Sequence, residues 1–511
     1  VAVTSAGGGS GPSITQDHPL PNRYLDLGLI VLYLIAVTIF GARFRKSQKT
    51  LRDYFLGGNT APWWAISLSI VAAETSTLTI IGTPALAFGG DLGFLQLVFG
   101  YLLARVVITV VFIPQYYRGR MYTAYELMRR RFGENIRRFT AMTFLVTRSL
   151  AEGVRVFAIS LVVSVVLGTG EIASIVIITL LTLFYTFHGG MTAVIWTDVA
   201  QMVLYVSGAL LSFVMILTLV PGGWEQVVAV AATQDKFQIF HFEVGPDFFS
   251  QTFSFWAGLL GGCFLTTATH GTDQLVVQRL LSARNESESK LALLSSWVVI
   301  LFQFTLFLTI GVMLFVLYQQ RGLAAPEVLD RLYPEFVWNY LPPVVSGIVI
   351  AAIIAAAMAN IAAALNSLAA TTIMDFLVPL TGHSNKDEGH FLKLSRLATL
   401  FWGGVLLAIA IMARHWGSVL EAGLAIASVP LGALLGVFTL GILTRRAPEM
   451  AAIGGMLAGL GAVLYVRFFT GIAWTWYVVI GSLTTFVAGW LLGLLMTPSG
   501  RSTLSDSGQG G

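Results

Sequence analysis

The sequence predicts an all-α membrane protein with about 13 transmembrane helices. They form two inverted five-helix repeats with discontinuous first core helices, plus flanking helices. Three observations carry that prediction. Of 511 residues, 56% are hydrophobic and only 11% charged, whereas a soluble domain carries about 25% charge. The mean hydropathy of +0.78 leaves too few polar groups to cover a water-soluble surface. The apolar residues fall in long runs, and two of those runs are interrupted by polar residues and glycines.

Each run is measured against the roughly 20 apolar residues that cross a bilayer core. They lie at 25–42, 63–88, 94–113, 139–168, 173–187, 194–220, 255–270, 291–318, 344–377, 397–413, 419–444, 451–468 and 474–496. Residues 25–43 form a leading helix. Residues 62–220 hold core helices one to five, 251–446 core helices six to ten, and 449–496 two C-terminal helices. Residues 1–24 are rich in Gly, Ser and Pro and lack the order of a cleavable signal, so an external disordered tail is expected there. A cytoplasmic tail is expected at 497–511.

With the N-terminus outside and the C-terminus cytoplasmic, 21 of the 30 Lys and Arg residues fall in cytoplasmic segments, seven of them within 118–138. Basic loops stay on the cytoplasmic side, which fixes the orientation in a plasma membrane. The pI near 9.1 then follows from topology and calls for no nucleic-acid partner. The single cysteine, Cys263, excludes a disulfide framework or a multi-cysteine metal site.

A charge inside a bilayer costs about 2.5 to 3.5 kcal/mol on insertion scales, so it marks function or a paired partner. Glu74 lies midway along the second run, Arg105 in the third, and Arg148, Glu152 and Arg155 in the fourth. Asp198 and Asp273 lie nearer helix ends. The second run also holds Ser69, Thr75, Ser76, Thr77 and Thr79, followed by Gly82 and Pro84. Such a segment can unwind where it lines a cavity, freeing carbonyls for a cation. The seventh run has paired Gly261 and Gly262, then Thr266, Thr267, Thr269 and His270, and a second interruption is expected there. Two interrupted helices, five helices apart, are the layout of a secondary transporter. The ninth run is packed with alanine and carries Asn360 and Asn366; small side chains allow close helix approach.

Several strings, in order along the chain, resemble the sodium:solute symporter family. They are Asp53-Tyr54-Phe55-Leu56-Gly57-Gly58, Tyr122-Thr123-Ala124-Tyr125-Glu126-Leu127, Gly189-Gly190-Met191-Thr192-Ala193, Asp273-Gln274 with Gln278-Arg279, Leu365-Asn366-Ser367, Ser395-Arg396 and Leu435-Gly436-Val437-Phe438. The resemblance implies an inverted-repeat carrier and a sodium site built from the carbonyls of Ala72, Thr75 and Ala356. Where relatives place two adjacent hydroxyl residues, this chain has Ala359 and Asn360. A second ion position in some relatives uses the aspartate matched by Asp198, but its hydroxyls here become Ala362 and Ala363. Sodium accepts several kinds of hard oxygen donor, so Glu74 and Asn360 are expected to replace the missing hydroxyls. A buried carboxylate that carries a proton is the alternative.

Arg148, Glu152 and Arg155 are spaced by four and three, so the carboxylate reaches either arginine on one helix face. A self-neutralising helix tie is the bland reading. The functional one leaves an arginine free to fork onto a solute carboxylate, as an arginine of this helix does in the family's sialic acid carriers. The expected solute contacts are Ser76, Thr77, Thr79, Arg105, Arg148, Glu152, Arg155, Thr269 and Asp273. His270 reads as a packing or hydrogen-bonding residue, because no second His or Cys stands at ligand spacing.

The sequence thus predicts sodium-coupled symport of a small anionic or zwitterionic organic solute into the cell by alternating access. Its partners are Na+, the solute and the bilayer, with no cofactor and no obligatory protein partner. Proton-coupled or uncoupled carriage is the first alternative, and a solute sensor or ion channel the second. No nucleophile with a base is evident, so an enzyme is not expected.

Overall fold

A computed structural model describes residues 23–43, 57–118, 124–185, 191–242, 244–377, 388–445 and 447–496. Except for Arg23 and Tyr24, of which Tyr24 opens the first helix, both expected tails lie outside the described residues, as do Asp53 to Leu56, Tyr122, Thr123, Gly189, Gly190 and the side chains of Ala359 and Asn366.

The described residues are helical and contain no strand. The helices are α1 (Tyr24–Arg43), α2 (Trp63–Glu74), α3 (Thr77–Gly89), α4 (Leu95–Val107), α5 (Ala124–Arg131), α6 (Glu134–Leu167), α7 (Glu171–Tyr185), α8 (Met191–Leu219) and α9 (Gly223–Ala232). Then come α10 (Gly262–Gly271), α11 (Gln274–Leu281), α12 (Glu286–Arg321), α13 (Leu332–Tyr340), α14 (Val345–Thr371), α15 (Glu388–Ala413), α16 (Val419–Leu443), α17 (Glu449–Phe469) and α18 (Tyr477–Met496). Among the described residues eight helices are long and apolar enough to cross a membrane, or nine when the bent pair α2 and α3 counts as one. Val203, Leu210, Leu211 and Val214 along α8 are exposed, as a lipid-facing stripe requires.

The second apolar run is broken where its polar residues cluster. Helices α2 and α3 meet at a 63° bend. Thr75 and Ser76 are extended between them, at φ −83° and ψ 99°, and φ −100° and ψ 176°. The Thr75 amide still bonds the Val71 carbonyl, and the Ser76 carbonyl accepts from Thr79 and Ile80. The carbonyls of Ala72 to Thr75 are left without a following helical amide, the ordinary condition of a helix C-terminus, here inside a span.

The second interruption falls at the C-terminal end of the expected stretch, next to His270, and not at the glycine pair. A π-helical turn, Ala257–Gly261, runs into α10 with helical backbone at Gly262. The chain breaks instead at Thr272 and Asp273, and the Asp273 carboxylate caps α11 by accepting from the Leu275 amide at 2.8 Å. The glycines serve packing: a Cβ on Gly262 would lie 2.5 Å from the Leu97 carbonyl of α4. Glycine lets the two backbones touch.

Candidate functional site

Beside the α2–α3 break lies a cavity of about 170 Å3, walled by residues of α2, α3, α6, α10 and α16 among others. Its polar wall contains Glu74, Ser76, Thr79, Arg148, Arg155, Thr269, His270, Asp273 and Asn360. Thus eight of the expected solute and ion residues, all but His270 in that set, meet at one hollow although they come from positions far apart in the chain.

The α6 cluster forms the first charged station. Arg148 Nη2 lies 2.8 Å from Glu152 Oε1, and Arg155 Nη1 bonds the same oxygen. Arg148 also faces Asp273 Oδ2 at 3.7 Å. Arg155, with its side chain 20% exposed against 12% for Arg148, is the less committed of the two. Glu152 is fully buried and absent from the cavity wall. It holds the arginines rather than the solute, because one carboxylate sits between two guanidinium groups on one helix face.

Glu74 forms the second station. Its Oε2 accepts from Arg105 Nη2 at 2.6 Å and lies 3.3 Å from His270 Nε2. His270 is therefore a hydrogen-bonding residue of the wall. Arg105 departs from expectation: it is fully buried behind Glu74, donates to Ser296 Oγ at 3.0 Å, and does not line the cavity. A buried carboxylate 31 positions earlier has claimed its charge. Thr77 is likewise buried away from the wall, in the first turn of α3.

Asp198, an expected ion residue, is ion-paired through one of its two carboxylate oxygens. Its Oδ2 accepts from Ser69 Oγ at 2.6 Å and from Arg279 Nη2 at 2.9 Å, and Arg279 Nε donates to Ser69 at 2.9 Å. The closed triangle ties α2, α8 and α11 together through Oδ2. Thr75 Oγ1 accepts from Gln303 Nε2 at 2.7 Å, and the Thr75 backbone carbonyl stands at the break. Ala356 and Asn360 are one helical repeat apart on α14, on one face, with Asn360 at the cavity.

The surrounding charges balance. Arg105, Arg148, Arg155 and Arg279 stand against Glu74, Glu152, Asp198 and Asp273. Among these groups an anion alone leaves an uncompensated charge, whereas an anion with one monovalent cation does not.

Sequence reasoning missed the apolar wall of Leu420, Gly423, Leu424, Ala427 and Leu431 on α16, and Phe94 and Phe304. The one local signal was Pro430 inside α16. Arg279, in the Gln278-Arg279 pair, had no expected role and also lines the cavity.

The sequence profile of the sodium:solute symporter family matches residues 54–459. The chain belongs to this family. The symporter is 30% identical over 492 residues to the sodium/sialic acid symporter SiaT of Proteus mirabilis, covering 95% of this chain and 98% of the relative. It is 28% identical to the mouse sodium-coupled monocarboxylate transporter 1, covering 87% of this chain and 72% of the relative. Its fold superposes on the substrate-bound, outward-open state of a Na+-coupled sialic acid symporter with a TM-score of 0.80, at 29% identity, covering 93% of this chain and 98% of that one. Membership makes the protein a multi-pass membrane transporter and not an enzyme. Sodium-coupled solute symport is the activity these relatives share.

Proposed function

We propose that this symporter uses an inward Na+ gradient to import a small carboxylate-bearing solute, with sialic acid the first candidate because SiaT and the superposed structure handle it. The observation that carries the proposal is the rupture between α2 and α3 beside a cavity that also holds Arg155 and Asn360. Na+ sits at the break, held by the carbonyls of Ala72, Thr75 and Ala356 and by the Asn360 amide oxygen. All are hard donors. Arg155, oriented by Glu152, forks onto the solute carboxylate. Na+ binding draws α2 and α14 together and stabilises the solute-competent arrangement, and rocking of one helical bundle against the other exposes both ligands to the cytoplasm.

The same reading takes the chain as 13 spans, with inverted repeats at 62–220 and 251–446, the N-terminus outside and the C-terminus cytoplasmic. The 63° break in the first core helix and the interruption after α10 support the repeat, and the basic segments support the orientation.

Labelled N-acetylneuraminate uptake into proteoliposomes, under an inward Na+ gradient at equal pH on both sides, tests the proposal. Accumulation above equilibrium is expected. Accumulation that needs a pH gradient and ignores Na+ would replace Na+ by H+.

A further inference from the structure

The second charged station has no part in the function proposed above. Glu74 Oε2 is taken by Arg105 and His270, but Oε1 has no partner among the described residues and is open to the cavity. The carboxylate is firmly oriented. Arg105 is anchored by Ser296 Oγ at 3.0 Å and the Tyr101 carbonyl at 3.4 Å, and His270 Nδ1 lies 2.9 Å from Thr269 Oγ1. Ser76 and Thr79 line the same wall, and their hydroxyls also lack partners among the described residues.

An ionised carboxylate oxygen only accepts, so its occupant is a cation or a neutral O–H or N–H donor. Arg105 decides between them. A monovalent cation roughly 3 Å from the carboxylate would lie roughly 5 Å from the guanidinium, which cancels more than half of the attraction. It would still lose its hydration. A neutral donor meets no such repulsion and gains a charge-assisted bond.

We propose that Glu74 Oε1 accepts a hydrogen bond from a hydroxyl or amide N–H of the solute, making this symporter selective for hydroxylated or acylamino carboxylates over simple monocarboxylates. Glu74 then determines specificity and is not a Na+ ligand. The inference rests on the proposed function only for placing the solute's anionic end at Arg155.

The test compares wild type, Glu74→Gln and Ser76→Ala as full-length purified protein, using thermal shift with N-acetylneuraminate, gluconate, N-acetylglycine or pyruvate, and with Na+ alone. Wild type is expected to bind the first three at least tenfold more tightly than pyruvate. Glu74→Gln is expected to weaken N-acetylneuraminate about tenfold, the loss of one charge-assisted bond, while its affinities for pyruvate and for Na+ alone move less than threefold. Ser76→Ala leaves the Arg105 pair intact and is expected to weaken N-acetylneuraminate about threefold to tenfold, so the wall remains testable if Glu74→Gln does not fold. A wild type that binds pyruvate as well as the hydroxylated and acylamino probes, or binds none of those probes, overturns the proposal. So does a tenfold loss of Na+ affinity in Glu74→Gln with N-acetylneuraminate binding unchanged. Solute binding without Na+-driven uptake would instead refute the symport reading and leave the Glu74 comparison readable.

Discussion

Asp330 offers a prediction whose size can be worked through. It lies outside the membrane spans in the turn Leu329–Arg331 and is 3% exposed. Its Oδ2 accepts from the Val419 amide at 3.0 Å, capping α16, the helix whose Leu420 lines the cavity. Its Oδ1 is buried with no partner among the described residues. Burial raises its pKa from 3.8 to about 6, against the lowering effect of the Val419 bond, with nearby Glu421 adding to the rise. Glu171, paired with Arg414 at 2.7 Å, and Glu327 complete the charged surroundings. Because the folded state keeps this proton longer than the unfolded chain, stability falls as pH rises from about 4 to about 6 and is level above. Two pKa units correspond to about 3 kcal/mol. Asp330→Asn keeps an acceptor for Val419 and removes the titration. Unfolding of both proteins in detergent between pH 4 and 8 gives a difference curve, in which wild type loses about 3 kcal/mol relative to the variant by pH 7. A flat difference curve, or one rising with pH, would show that burial does not hold the Asp330 proton.

Three further outcomes follow from the site and its packing. Arg155→Gln should raise the half-saturating N-acetylneuraminate concentration by about tenfold to a hundredfold, the range for a lost charge-assisted bond, as read by uptake titration. Asn360→Ala should weaken Na+ at least tenfold, with partial recovery in Asn360→Ser, which restores an oxygen; a Na+ titration of thermal stability checks both. Gly262→Ala should lower stability by about 1 to 3 kcal/mol, since its Cβ would fall 2.5 Å from the Leu97 carbonyl; thermal unfolding reads the loss.

The first break was legible because polar residues cost most at mid-bilayer, and Glu74, Thr75 and Ser76 concentrate there. The second was legible in the polar residues that end at His270, but the part of the glycine pair was not: Gly261 and Gly262 look alike in sequence whether they loosen a helix or let another approach, and here they pack against Thr475 and Leu97. The arginine cluster on α6 was readable from its spacing, since pairs at three and four are local. The pairings of Arg105 and Asp198 were not legible because their partners, Glu74 and Arg279, lie on other helices, and sequence carries the charge without the partner. The α16 wall stayed hidden because a leucine facing a cavity and one facing lipid have the same composition.

In the proposed cycle, oxygens freed at the α2–α3 rupture, with Asn360, hold a cation that prepares the solute site. Calorimetric binding of N-acetylneuraminate in sodium chloride and in choline chloride, at one pH and ionic strength, reads that dependence. Affinity is expected to be at least tenfold tighter in sodium, and equal affinity in the two salts would mean that no cation prepares the site.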